Sequence, residues 1–125
     1  VSPGTTFRRE VMNSSLEEEK KHNIAALNDK FRKSFVGGEV YLTAGLNGLG
    51  PEFVVQAVDA VRQFDTFTSD NDPHQEHDFG SLNVQKHKLF WKIDYYDLTM
   101  KSGSEDPANA EVTKRVLTVM LAEEY

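Results

Sequence analysis

The residues best suited to chemistry sit in one stretch, His74-Gln75-Glu76-His77-Asp78, preceded by Asp70 and Asp72 and followed by Asp94 and Asp97. Imidazole nitrogens and carboxylate oxygens suit zinc, manganese or iron, provided three or four of them converge. His74, His77 and Asp78 form the candidate metal set, with Asp94 as a further ligand or base. The chemistry they would support is metal-dependent hydrolysis of the nuclease kind. His-x-x-His is a weaker signature than H-E-x-x-H on a helix. The same residues also have a mechanical use: Asp and Asn in turns accept hydrogen bonds from nearby amides, and Pro73 fixes a turn before a strand. A second carboxylate set, Asp94, Asp97, Glu105 and Asp106, can divide acid and base roles if burial separates their pKa values. Asp106-Pro107 reads more readily as a helix N-cap followed by proline in the first turn. No G-x-S-x-G is present, and no Ser/His/Asp triad can be argued.

Bringing the histidine turn to Asp94 and Asp97 requires a hairpin. Leu82 and Val84 alternate with polar residues, and Gln85-Lys86-His87-Lys88 is its expected tip. A tip centred on Lys86-His87 places residue 78 opposite residue 95. In the following strand, 89–97, Trp91, Ile93 and Tyr95 share one face, and Phe90, Lys92, Asp94 and Tyr96 share the other. Tyr41 and Thr43 can join the second set. Aromatics beside a cation can stack bases, but the basic surround is missing. That face is expected to lie under a helix or to be offered to a protein partner. Asp94 stands out, because strand interiors disfavour Asp; it either pairs with Lys92 or a cross-strand group, or faces a pocket.

The remaining elements follow from periodicity. Residues 1–13 read as a loose tail. Ser14 and Ser15 stand three residues before Glu17 and Glu18, a capping-box pattern opening a helix over 15–35 with Ile24, Leu27, Phe31 and Phe35 on its apolar stripe. Residues 39–44 alternate as a strand. The glycine-rich 45–51 segment lacks both the Walker lysine and the dinucleotide spacing, so it reads as a tight connection. Pro51 opens a helix to about Phe64, carrying Val54, Ala57, Val58 and Val61. After a loop over 99–107, the spacing of Val112, Val116, Val119 and Met120 predicts a last helix reaching Tyr125. The expected fold is α+β, a single domain over 14–125. Its three-stranded, mainly antiparallel sheet packs with three helices in the order αβαββα.

The chain has 125 residues, no cysteine and a net charge of −6. Residues 1–35 carry +2 and residues 36–125 carry −8. No disulfide, thiolate metal site or cysteine nucleophile exists, which fits a reducing compartment. No apolar run approaches the roughly 20 residues that span a bilayer, so a cytoplasmic protein is expected. An acidic main body repels phosphates, so direct nucleic-acid binding is not expected. It attracts a cationic protein surface, a metal ion, or a protein that normally grips nucleic acid.

Six segments carry a family resemblance: Leu27-Asn28-Asp29-Lys30-Phe31-Arg32, Leu42-Thr43-Ala44-Gly45, Asn71-Asp72-Pro73, Glu76-His77-Asp78-Phe79-Gly80, Trp91-Lys92-Ile93-Asp94-Tyr95-Tyr96-Asp97, and Arg115-Val116-Leu117-Thr118 with Met120-Leu121-Ala122-Glu123-Glu124-Tyr125. From about residue 24 to the C-terminus the chain resembles a small bacterial family, a domain of unknown function often carried on plasmids, phages and other mobile elements. The resemblance implies no activity or catalytic role. It implies mobile-element work such as host takeover, defence evasion or plasmid maintenance. The expected function is a non-enzymatic acidic binding or inhibitory protein, with a nucleic-acid mimic as one form of it, engaging a host or defence protein without a cofactor. Asp70, Asp72, His74, Glu76, His77, Asp78, Asp94, Tyr96 and Asp97 are its expected contact residues. The metal-dependent enzyme, holding zinc or manganese, is the alternative.

Overall fold

The run from Lys114 to Leu121 is the middle of the molecule. The computed structural model describes the backbone from residue 3 and side chains over 15–125. The tail expected over 1–13 lies outside the residues described with side chains. The elements are α1 (Pro3–Ser34), β1 (Gly38–Leu42), the single turn α2 (Ala44–Asn47), α3 (Pro51–Arg62), β2 (Phe79–Val84), β3 (His87–Tyr96) and β4 (Lys114–Leu121). A 3-10 turn, Ala122–Glu124, closes the order. One mixed sheet has the strand order β1-β4-β3-β2; β1 runs parallel to β4 and the other pairs are antiparallel.

This corrects the expected three-stranded sheet and the αβαββα order. The α+β class and three helices stand, but the third helix is short α2 and not a C-terminal one. Residues 114–121 form β4, because Val116, Leu117, Val119, Met120 and Leu121 bury apolar side chains on both faces and β-branched Val116, Thr118 and Val119 suit a strand. Asp106-Pro107 accordingly opens a turn, in which the Asp106 carboxylate accepts from the Ala108 amide at 3.3 Å. Helix α1 also passes through Ser15, so that residue is interior rather than a cap. Pro51 opens α3 as expected, with Gly50 before it at φ 99°.

Register divides the sheet into two faces. Trp91, Ile93 and Tyr95 lie with Leu117, Val119 and Val40 on one side. Phe31 from α1, Leu46 from α2, and Phe53, Ala57 and Val61 from α3 pack onto that side as one core. The opposite side carries Phe90, Lys92, Asp94 and Tyr96 beside Met120, Thr118, Val116 and Lys114. The expected division of β3 between two faces therefore holds. The helices that build the core all lie on the Trp91 side, so the expected helical cover of the Phe90 side is corrected among the described residues.

The hairpin tip is Gln85-Lys86, one residue earlier than expected, so Phe79 pairs with Lys92 and the Asp78 carbonyl accepts from Ile93 N at 2.8 Å. Partners slide by two positions, which leaves every side chain on its expected face. Gln85 and Lys86 have φ of 49° and 72°, both left-handed. Such two-residue connections favour glycine or asparagine, because a Cβ in this region costs about 1–2 kcal/mol. Lys86→Gly is expected to raise stability by about 1 kcal/mol in urea titration, after part of the relief is offset by the freer unfolded chain.

Candidate functional site

The histidine turn is folded inward against α1. Asp72 is buried, at 6% exposure, and its carboxylate accepts from the amides of Glu76 and His77, both at 3.2 Å. That capping holds the left-handed Gln75 and His77, at φ 58° and 55°. The His77 ring lies flat on Phe67, centroids 3.9 Å apart and planes within 1°. Its Nδ1 is 3.0 Å from both carboxylate oxygens of Asp29, and its Nε2 is 3.6 Å from Asp72 Oδ2. Both ring nitrogens thus face carboxylates of the same chain.

Asp29 is fixed in turn by Arg32, at 2.9 Å. Arg32 is almost wholly buried, at 1% exposure. It donates to the Val61 carbonyl at 3.1 Å and the Phe64 carbonyl at 2.7 Å, and its guanidinium lies over the Phe67 and Trp91 rings. One buried cation therefore ties α1 to the C-terminal end of α3 and to the loop. Beside it runs a second chain of bonds. Arg115 Nε donates to Asn28 Oδ1 at 2.7 Å, Asn28 Nδ2 donates to the Tyr95 hydroxyl at 2.8 Å, and that hydroxyl donates to Glu76 at 3.1 Å. Asn28 also donates to the Glu76 carbonyl, and Arg115 to the Pro107 carbonyl. Burial pushes the Tyr95 hydroxyl far above the ordinary phenol range, so it stays protonated as a donor and is no base or nucleophile.

The structure separates the expected site residues. Asp72, Glu76, His77 and Asp78 stay together on the helix side of the sheet. Asp94 is on the opposite side, paired with Lys92 at 3.1 Å, which corrects the expected gathering of the histidine turn with Asp94. Pairing with Lys92 is one of the two outcomes its strand position allowed. Tyr96 shares that opposite side and bridges to Gly103. Asp97 serves its own turn, accepting from the Thr99 hydroxyl at 2.6 Å and from the amides of Thr99 and Lys101. The Thr99 hydroxyl bond leads these in holding its carboxyl below the usual range. Asp70 and His74 are exposed. Among the described residues no three His, Asp or Glu side chains are arranged to hold a metal ion, so His74, His77 and Asp78 do not form the expected ligand set. The physical reason is that Asp72 and Asp29 draw His77 toward the helix.

Asp78 is different. Burial raises its carboxyl pKa first of all, and the charges of Glu76 and Asp72 raise it further. None of the ion pairs among the described residues includes Asp70, Glu76 or Asp78. On the His77 side, and not lined by Asp78, a cleft of about 510 Å³ lies between α1 and the loop, with Lys21, His22 and Asp29 on the helix and Thr68, Asp72 and Gln75 opposite. In the glycine-rich segment the expected tight connection is found. The Glu124 carboxylate bonds the Thr43 hydroxyl at 2.6 Å and the Gly45 amide at 3.1 Å, an approach that a Cβ at Gly45 would block.

Sequence reasoning missed Asn28, Asp29, Arg32, Phe67 and Arg115. One local signal existed, the i,i+3 pair of Asp29 and Arg32 beside the apolar stripe. No helix among the described residues is long and apolar enough to cross a membrane. No curated protein and no solved structure matches the chain. A family model matches residues 42–124, well over half of its length, and the chain therefore belongs to the family described as a protein of unknown function, DUF3768.

Proposed function

We propose that this chain is a non-enzymatic binding protein that presents the acidic turn around 70–78 to a cationic surface of a protein partner. The observation that carries this reading is Asp78: half-buried beside Glu76 and Asp72, it takes part in none of the ion pairs among the described residues. A fold does not gain stability from a strained carboxylate, and an incoming guanidinium or ammonium group would relieve it. The inward commitment of His77, Asp72 and Tyr95 supports binding over acid-base chemistry. The family resemblance supplies the class of partner, a host or defence protein met by a mobile element, with the acidic turn standing where nucleic acid would.

The linkage sign follows from the raised pKa. The folded state favours protonated Asp78, so its stabilising contribution is full below the ordinary Asp pKa and is lost as pH rises through the folded value. Asp78→Asn is therefore expected to raise the melting temperature at pH 7, with the gain shrinking toward pH 4; scanning calorimetry at both pH values checks it. For function, immobilised wild-type chain and an Asp70→Asn/Asp78→Asn variant are exposed to lysate of a bacterial host. Wild type should retain a protein that high salt elutes and that the variant fails to retain. Equal retention by both, or none by either, would overturn the proposal.

A further inference from the structure

We infer that the cleft between α1 and the histidine turn binds a small organic molecule with a guanidinium or ammonium head and a carboxylate tail. Asp72 lines this cleft although it is only 6% exposed. Its Oδ1 accepts from the Glu76 and His77 amides, but its Oδ2 has no hydrogen bond among the described residues. Oδ2 faces His77 Nε2 at 3.6 Å, which is beyond bonding reach. His77 lines the cleft as well, and its Nδ1 carries the ring hydrogen, because its partners there are the carboxylate oxygens of Asp29. The neutral ring then offers a lone pair at Nε2. Two acceptor atoms therefore stand side by side and share no donor among the described residues, an arrangement that is costly for a buried carboxylate. One ammonium, or the two NH2 groups of one guanidinium, can bond both at about 2.9 Å. An organic cation fits better than a metal ion, since no three described side chains are arranged to hold one.

The rest of the cleft describes the remainder of the molecule. About 510 Å³ lies within the range of small-molecule sites. Ala25 and Ala26 keep the helix wall low, and the Phe67 ring gives a methylene stem an apolar surface. The outer end has the opposite charge. Lys21 stands eight residues before Asp29, about 12 Å along the helix. It is exposed and enters none of the ion pairs among the described residues. A second positive charge on the ligand would meet Lys21, whereas a carboxylate would be drawn to it. Glu18 lies a turn further out, exposed at the rim, where solvent screens it. A cation inside and an anion outside is the charge pattern of a basic amino acid or its N-acyl derivative. Asp78 does not line the cleft, so this site stands apart from the acidic-turn reading, and the failure of either leaves the other intact.

Amide-resolved NMR titration of the full chain with N-acetyl-arginine should show saturable shifts at Asp72 and His77, with Kd below about 1 mM. N-acetyl-citrulline has nearly the same shape without the charge and should bind at least about tenfold more weakly. N-acetyl-argininamide lacks the carboxylate and should bind about threefold more weakly, a difference that Lys21→Ala should abolish. Asp72→Asn keeps an oxygen for the turn amides and sets a donor in place of Oδ2, so binding should be lost. Ala26→Phe fills the cleft from an exposed helix position, away from the turn. It should also lose binding, with circular dichroism showing that the fold is kept. The absence of saturable shifts up to about 10 mM overturns the proposal, as does equal binding of the citrulline derivative or binding that survives Ala26→Phe. So does an amide that binds as tightly as the acid, which would assign the cleft to an arginine side chain of a protein.

Discussion

Arg32→Ala should cost about 4 kcal/mol of folding stability, because it removes a buried cation that satisfies three groups at once. The guanidinium holds the carbonyls of Val61 and Phe64 and the carboxylate of Asp29. Both carbonyls lie where α3 ends, beyond the regular i→i+4 ladder; the Val61 carbonyl keeps only the Phe64 amide at 3.2 Å once the guanidinium is gone. Truncation also leaves the Phe67 and Trp91 rings facing a void where the guanidinium lay. Arg32→Met separates the two contributions, since it restores much of the volume and none of the donors. It should recover about 1 kcal/mol of the loss and no more. Arg32→Lys keeps the charge but not the fork that reaches three acceptors, so it should resemble methionine more than arginine. Urea titration of the four proteins checks the order. Because Asp29 loses an anchor with Arg32, the His77 ring should move off Phe67, and its proton chemical shifts should leave the ring-current range. A loss below 1 kcal/mol for Arg32→Ala would mean that the buried network contributes little to holding α1 on the sheet.

That network shows why the sequence yields some features and withholds others. The alternation in β3 is a local, period-two property, so the faces of Trp91, Ile93 and Tyr95 against Phe90, Lys92 and Asp94 were readable before any fold was known. Asp94 was readable as an anomaly for the same reason, and Lys92 two residues away on the same face resolves it. β4 was not readable by period. Val112, Val116, Val119 and Met120 satisfy a helical spacing, while Arg115 to Leu121 also satisfies a strand buried on both sides. Only tertiary context decides, with β1 and β3 supplying backbone partners on both edges. No Gly or Pro follows Pro107 before the strand to announce the change. Asn28 and Arg32 were hidden differently. They sit one turn apart beside the apolar stripe, and a polar pair there normally marks the solvent boundary of a helix. What buries them is a loop more than 30 residues downstream and a strand more than 60 downstream. The chemistry of His77 was legible as residue type but not as role, because its controlling partner Asp29 lies 48 residues away.

Gly80→Ala tests the tightest contact in that arrangement and is expected to cost about 3 kcal/mol. Gly80 pairs with Trp91 across β2 and β3, and both side-chain positions point at the helices. The indole lies directly over the glycine, so an added Cβ would sit 2.3 Å from Trp91 Nε1 and 2.6 Å from Cε2. The neighbour is a rigid bicyclic ring with no exposed surface, packed edge-on against Phe64 and Phe67 and under Arg32. It cannot swing aside without disturbing the cation that anchors α1, which is why one methyl group should be felt so strongly. A second variant isolates the cause. Trp91→Phe removes the part of the ring that collides, and the indole N–H it deletes has no hydrogen-bond partner, so no acceptor is orphaned. Trp91→Phe alone should still lose about 2 kcal/mol of packing. In that background Gly80→Ala should add less than 1 kcal/mol, a coupling of about 2 kcal/mol in a double-mutant cycle. Additive losses would show that the glycine is needed by the β2 backbone itself and not by the ring above it.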